Sequence, residues 1–510
     1  MKLQVIKNRL LSLTRKTVLY SAYLFVVLLF LSFVLFQIPA VQSNLANRIT
    51  SKFSKVSGFD ISYTDIYLVW YDRLELKGLI IKDPDQNKMI EVGNLQVNFS
   101  LSTLLLDQNI NIDAITLENG SINLVKILAG DSTRDLNINL FIAEINKQSA
   151  SGSQTQGSPK LNIGEIGIYN TAFKLHDPQQ DSLKNAFDFN HINLQINEAN
   201  ANNFNLIGDT IQFKLNTLIA EEKNCHLPIH NLSTFFRISQ NSMEFMGLNA
   251  NIGQSRISDT LIFTYKSLVD MNDFNNKVSI KGTLKNTLLY PEDLVLFTPG
   301  VKPLPQPLSL SGNITGKISR FQFQNMALAL GQTKIVGSLQ LDGLPAINET
   351  FINLNVKEGD VNIQNLAFLF PQNVFDKLTP LGKFKLVGKF TGYIDDFVAN
   401  GDFRGQFGQI KSDINLKIDQ AAVNQSTYSG NLNMNDFNLG ILLQDTALFQ
   451  KVTMIGRIKG KGLTKETADF TLVGKINSIG IRKYKYSNIT TDARFATQLF
   501  NGSINIDDPN

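Results

Sequence analysis

His226 and His230 sit close to Cys225 in the 510-residue chain, and one thiolate with two imidazoles is a donor set that zinc accepts. A strand would aim Cys225 and His226 at opposite faces, and no fourth ligand or polarising Glu follows at motif spacing. Loop polarity accounts for the cluster. Cys225 is the only cysteine, so no intrachain disulfide can form, and it lacks the sequence signature of a catalytic nucleophile. Asp83 to Asn87 begins like a calcium loop, yet Lys88 stands where Gly is needed and Asn94 where the closing Glu belongs. That segment reads as a β-turn. Gly456 to Gly462 contains a Gly-Lys pair, but the glycine spacing is too short for a phosphate loop, and Gly462 stands where Ser or Thr should follow Lys461. Glu221 with Glu222, and Asp395 with Asp396, are neighbours whose side chains diverge on a strand, which suits solvated turns better than acid/base catalysis. The expectation is a protein that is not an enzyme, with no metal site and no cofactor.

Composition narrows the class further. With 48 Lys and Arg against 44 Asp and Glu the net charge is +4, and the basic residues are scattered, which gives a nucleic-acid partner no support. At 43% hydrophobic and 18% charged residues the chain is neither disordered nor a multispan membrane protein.

One segment is different. Val18 to Phe36, including Leu24 and Leu29, is a run of nineteen residues without a charge. As a helix it spans about 28 Å, close to the roughly 30 Å hydrocarbon core of a bilayer. Lys2, Lys7, Arg9, Arg15 and Lys16 precede it with no acidic residue, which holds the N-terminus in the cytoplasm and sends the body across. A cleaved signal peptide is the competing reading. Its apolar core is only about 7–15 residues, and Gln37 to Gln42 offers a poor cleavage site, so the run reads as a single-pass anchor.

The elements beyond the anchor follow from periodicity. Val41, Leu45, Ile49, Phe53 and Val56 recur every three or four residues, one stripe of an amphipathic helix over 37–57. Arg48, Lys52 and Lys55 lie off that stripe and could meet anionic headgroups, although packing under the start of a sheet is the favoured role. From Ile61 the period becomes two. Ile110, Ile112 and Ala114, then Leu136, Ile138, Leu140 and Ile142, then Ile192, Leu194 and Ile196 alternate mostly with Asn, Asp or Gln. Ile352, Leu354 and Val356, and Ile414, Leu416 and Ile418, alternate with Asn or Lys. Such strands have one apolar and one polar face and belong in antiparallel sheet. Abundant Asn and Gly fit short turns, and no series of long helices is present to cover the apolar faces.

Gln148 to Pro159 is a flexible Ser/Gly/Gln linker, and Pro299 to Pro307 a stiffer proline-rich one. Beyond the second, the pentads Gly312 to Gly316, Gly388 to Gly392 and Gly456 to Gly460 recur. Each follows a short apolar segment suited to a helical turn: Leu294 to Phe297, Leu366 to Phe370 and Ile441 to Phe449. A unit of several strands is being reused, and units that cannot bury their faces alone must stack into an elongated body. The expected organisation is therefore a basic tail (1–17), anchor (18–36), juxtamembrane helix (37–57), N-terminal β region (58–147), linker (148–159), β-groove segment (160–298) and repeated β-groove units (299–510).

The region from the anchor to about Val125 resembles the N-terminal part of the AsmA-like superfamily, in particular its TamB-type translocation and assembly modules. The likeness rests on the order of several segments. Pro39 to Thr50 is followed by Gly58 to Tyr63, Leu74 to Asp83, Met89 to Leu101 and Ile115 to Leu124. The rest of the chain matches in texture only. The family's characteristic C-terminal domain is not found, so the chain is expected to be the N-terminal portion of a longer protein. The resemblance implies a β-sheet curled into an open, apolar trough on the periplasmic side of the inner membrane of a Gram-negative bacterium. It also implies a role in outer-membrane biogenesis with an outer-membrane barrel assembly factor as partner. Ile110, Ile112, Ile192, Leu194, Ile196, Ile352, Leu354, Val356, Ile414, Leu416 and Ile418 are the expected groove residues, with phospholipid or a related lipid as ligand. The alternative is an assembly scaffold that templates strands of outer-membrane or autotransporter proteins by β-augmentation. Alternation by itself does not separate an open groove from a closed sandwich.

Overall fold

The computed structural model describes residues 20–509 except 22, 29, 32–33, 36, 70–71, 101–109, 130–132, 151–159, 298–302, 371, 420, 465 and 498. Lys2, Lys7, Arg9, Arg15, Lys16, Val18, Leu29 and Phe36, and most of the expected linker, lie outside the described residues. The described residues between 20 and 35 are helical, and Tyr20 (72%), Leu24 (58%) and Phe30 (64%) are largely exposed. Among the described residues no helix is long and apolar enough to cross a membrane.

The chain is mainly β and divides into two compact units, Met1–Ile229 and His230–Asn510. In the first, helix α1 (Pro39–Ser57) starts on a proline, whose missing N–H costs nothing there, and stops at Gly58, whose positive φ of 76° suits a C-terminal cap. It packs on β1 (Asp60–Ser62) and β2 (Asp65–Val69). The Gln42 amide imitates a rung of the ladder, accepting from Leu68 N at 2.9 Å and donating to Leu68 O at 3.2 Å. That polar contact sets the helix rotation. Val41 (38%) and Val56 (67%) are consequently exposed, while Phe53 packs on the core around Phe59 and Met89, so the expected apolar stripe is buried only in part.

The remaining strands of this unit are β3 (Arg73–Lys82), β4 (Lys88–Asn98), β5 (Ile110–Ala129), β6 (Thr133–Leu136), β7 (Lys160–His176), β8 (His191–Ile207) and β9 (Thr210–Glu222). Two findings depart from the sequence expectation. First, β5 and β7 pair in parallel, from Ile110 opposite Leu161 to Val125 opposite His176, so the sheet is not wholly antiparallel. Second, Ile138, Leu140 and Ile142 lie on a helix, α2 (Asn137–Ala150), and only Leu136 belongs to a strand. Parallel strands need a crossover, and α2 is part of it. Ile138, Leu140 and Phe141 all pack on the Phe59 core, Phe141 edge-on to Phe59 at 5.1 Å, whereas Ile142 is 42% exposed. Asn137, fully buried, accepts from Val125 N at 3.2 Å and donates to Asp83 at 3.0 Å, tying the start of α2 to the β3–β4 turn. That turn is closed by Gln86 N donating to Asp83 O at 2.9 Å.

Strand β10 (Leu227–Ile238) crosses the division between the units. The second unit then carries β11 (Ser242–Ile252), β12 (Ser255–Thr264), β13 (Ser279–Leu289), β14 (Leu308–Lys317), β15 (Arg320–Leu330), β16 (Thr333–Asp342), β17 (Phe351–Asn362) and β18 (Lys383–Gly392). It continues through β19 (Asp396–Gly405), β20 (Gly408–Lys417), β21 (Thr427–Asn438), β22 (Phe449–Lys461), β23 (Asp469–Ile481), β24 (Tyr484–Ala496) and β25 (Leu499–Ile506). From β11 onward every strand pairs antiparallel with the next in sequence, an open meander.

The glycine pentads fall on β14, β18 and β22, so the repeat is four strands. A helical segment precedes each: Pro291–Phe297, Ile363–Leu369 and Leu439–Leu443. Each is tied to the preceding hairpin turn on the same margin of the sheet. Asp293 accepts from Gln254 N (2.9 Å), Ser255 N (2.8 Å) and Ser255 Oγ (2.5 Å). Asn365 accepts from Gln332 N at 3.0 Å, and Asn438 N donates to Phe407 O at 2.7 Å. Gly253 is required at the first of these turns, because its φ is +57° and a Cβ there would collide with the Asp293 carboxylate.

Asparagine has a use beyond the expected turns. Asn119, Asn170, Asn203, Asn286, Asn325 and Asn488 take positive φ inside strands, where Asn tolerates the left-handed region better than other side chains. The register shifts around Asn286 and Asn325, so these residues build β-bulges that bend the sheet.

Replacing Asp293 by Ala leaves three donors at the β11–β12 turn without their acceptor, and should lower stability by about 2–3 kcal/mol. Urea unfolding of Asp293→Ala against the parent chain measures this. A loss below about 0.5 kcal/mol, the scale of an ordinary surface change, would show that the tie does not hold the helix down.

Candidate functional site

In antiparallel sheet, directly opposed residues share a face, so the register tells which side chains line up from strand to strand. One row runs Phe245, Leu261, Gly282, Ile314, Phe323, Leu339, Leu354 and Phe390 across β11 to β18. It continues through Ala399, Ile414, Gly430, Ile458, Leu472, Ala493 and Gly502 to β25. No residue in it is polar. The middle residues of the three pentads, Ile314, Phe390 and Ile458, all belong to this row, which explains the spacing of the repeat. A second row toward one margin includes Ile352, Gly392, Phe397, Leu416, Tyr428 and Phe470 and is equally apolar. At about 4.8 Å per strand, the fifteen strands carry the apolar face for roughly 70 Å.

The opposite face is polar. Asn355, Lys389, Asn400, Asp413, Asn431 and Arg457 form one of its rows. Charge pairs lace it, among them Arg404 with Asp402 and Arg494 with Asp469, both at 2.6 Å. The Arg404 guanidinium, helped by Gln409 and Lys411, holds the Asp402 carboxyl down at about 2. These exposed pairs stabilise little, but they mark the solvent side.

The two faces differ in shelter. Ile455 (62%) and Val473 (46%) stand on the polar face, while Ile458 and Leu472, on the same two strands but the apolar face, are only half exposed. Leu339, Leu354, Phe390, Ile414, Ile458 and Leu472 are nevertheless not buried, as a second layer of sheet would require. Two members of the row, Phe323 (4%) and Ala493 (2%), are buried, and toward the margin Phe407, Phe437, Val452 and Met454 are buried with Leu439 of the last helical segment packed on them.

Of the expected groove residues, Ile352, Leu354, Val356, Ile414 and Leu416 are brought to this one face. Ile418 is not: it lies past the end of β20, where its N–H donates to Asp395 O at 2.6 Å. In the first unit Ile192, Leu194 and Ile196 stand opposite Leu175, Phe173 and Thr171, and Ile110 and Ile112 opposite Leu161 and Ile163. There too one side is apolar, as in the row Leu76, Leu95, Leu117, Ile168, Ala199 and Leu218.

Glu222 ends this apolar side and corrects the expectation of a solvated pair. Its neighbour Glu221 is partly exposed beside Lys223, but Glu222 is only 1% exposed and accepts from Asn193 N (2.9 Å) and Cys225 N (2.8 Å). It staples the turn that carries Cys225. Neither alternation nor composition marks Glu222 as buried, because the signal lies in its opposition to Leu194.

No family model, curated protein or solved structure matches the chain.

The Cys225 thiol is pushed up to about 11, by burial first and then by the Glu222 carboxylate beside it. Iodoacetamide at pH 8 should therefore label Cys225 about a hundredfold more slowly than an ordinary thiol, whose pKa is about 8.5. The rate should climb about tenfold per pH unit until the thiol ionises. Labelling of the folded chain at the rate of a free thiol would show that the turn is open.

Proposed function

We propose that the chain is an inner-membrane-anchored periplasmic protein of outer-membrane biogenesis that conducts phospholipid along its apolar sheet face. The single observation that carries this reading is the unbroken apolar register from β11 to β25 on a face that is sheltered yet uncovered. A hydrocarbon tail laid there leaves water at about 0.8 kcal/mol per CH₂. A bilayer offers the same tail a similar gain, so transfer between the two is nearly balanced, which suits a conduit better than a trap. The uncharged run from Val18 to Phe36 and the basic residues before it support the anchor and its orientation. The resemblance to TamB-type modules supports the compartment and an outer-membrane barrel partner.

A photocrosslinking residue at Leu354 should capture phospholipid in cells, whereas one at Asn355, the next residue but on the polar face, should not. Equal capture at both positions would defeat the reading.

The alternative, a scaffold for outer-membrane or autotransporter proteins acting by β-augmentation, has one observation in its favour. All eight residues of β25 are exposed, and its only partner among the described residues is β24. It carries no Lys or Pro that would discourage pairing. On the scaffold reading, Asn501→Pro in β25 should abolish crosslinking to nascent outer-membrane strands while leaving lipid capture at Leu354 intact. Unchanged strand crosslinking would remove this reading.

A further inference from the structure

On the polar face of the later strands the side chains leave a hollow of about 780 Å³, within the roughly 300–1,000 Å³ of ordinary small-molecule sites. Two rows of the register line it. Asp396, Lys417, Thr427, Lys461 and Asp469 stand opposite one another from β19 to β23, and Asn415, Ser429, Lys459 and Thr471 do so from β20 to β23. Short hydroxyl side chains thus alternate with long lysines, and the hydroxyls form the floor between them.

The preceding repeat shows why space remains here. Tyr393 follows the last glycine of the second pentad, as Lys461 follows the last glycine of the third. Phe351 precedes Ile352, the partner of Gly392, as Thr427 precedes Tyr428, the partner of Gly460. In the earlier repeat the Phe351 and Tyr393 rings pack edge to face, 5.6 Å between centroids, and fill this place. Thr427 and Lys461 leave it open.

The polar groups in the hollow are largely unspent. Among the described residues, the side chains of Asn415, Thr427, Ser429, Lys459 and Thr471 hold no hydrogen bond or ion pair. The two carboxylates are each met by one cation, Asp396 by Lys417 at 3.0 Å and Asp469 by Arg494 at 2.6 Å. An apolar ligand would cover the free donors and leave them unpaired. A bare phosphate would suit the lysines but face Asp396 and Asp469 as like charges. A polyhydroxyl ring that carries a phosphate satisfies both sets: its hydroxyls donate to the carboxylates and accept from the amide and the floor hydroxyls, while its phosphate accepts from ammonium groups.

We propose that this hollow binds a phosphorylated sugar, with Lys459 and Lys461 on the phosphate and Asp396, Asn415, Ser429 and Asp469 on the ring hydroxyls. The site lies on the face opposite the one assigned to lipid and does not rest on that assignment. The same phosphosugar can arrive free in solution or as the headgroup of a glycolipid.

Isothermal titration calorimetry on the full chain in detergent micelles tests this with four probes: trehalose 6-phosphate, trehalose, inorganic phosphate, and trehalose 6-phosphate carrying a hexadecanoyl ester on its other ring. Trehalose 6-phosphate should bind about tenfold or more tightly than trehalose or inorganic phosphate, since only it pairs both sets of groups. Lys459→Gln removes one charge-assisted hydrogen bond at an exposed position, so it should weaken that binding about tenfold with the thermal midpoint unchanged. The double variant Thr427→Phe, Lys461→Tyr copies the aromatic cover of the preceding repeat and should abolish binding. Tighter binding of the ester, weakened by Lys459→Gln in the same way, assigns the site to a glycolipid headgroup, and equal or weaker binding of the ester assigns it to a soluble sugar. No binding of trehalose 6-phosphate by the parent chain, equal binding of the three soluble probes, or a Lys459→Gln chain that binds as the parent does overturns the site. Phospholipid capture at Leu354 reads the other face and is untouched by any of these results.

Discussion

Backbone pairing in strict register is the constraint on which the second unit depends. Each strand alternates apolar and polar residues, and a slip of one residue between any two strands would turn a whole apolar set toward the polar side. From β11 to β25 no slip occurs that the bulges do not correct. Around Asn325, for example, the ladder steps past two residues, and Met326 returns to the apolar face opposite Gly337. The bulge bends the sheet and keeps the pattern.

An open sheet has two liabilities, its edges and its uncovered face. At the start of the first unit the edge is blocked by α1, with Gln42 filling the place of a neighbouring strand at Leu68. In the second unit the helical segments tie themselves to the preceding hairpin turns through Asp293, Asn365 and Asn438, and the last of them closes part of the apolar margin. What they leave partly open is the middle of the face around Leu339, Leu354, Phe390, Ile414 and Ile458. A protein stabilised only by burial would close that middle too. Leaving it open lowers stability and keeps a hydrocarbon surface accessible.

The same economy governs the polar residues. Most sit on the solvent side in exposed pairs that add little stability. Among the buried ones, Asn137, Glu222 and Asp293 satisfy backbone donors that the strands leave behind. The Thr491 hydroxyl, by contrast, is buried without a hydrogen-bond partner.

Much of this was legible in the chain itself. Period-two alternation at Ile352 to Val356 and Ile414 to Leu416, the pentad spacing and the short apolar segments before the pentads are local patterns, and local sterics suffice to turn them into strands, repeats and helical turns. The alternation at Ile138 to Ile142 misled, because a helix and a strand can share a few apolar positions and only contact with Phe59 and Phe141 decides between them. The parallel pairing of β5 with β7, the burial of Glu222 and the close backbone approach at Gly388 and Gly474 could not be read from spacing at all. Each depends on which residue stands opposite which across a strand boundary. Opposition is set by long-range backbone pairing, and sequence order alone carries no record of it.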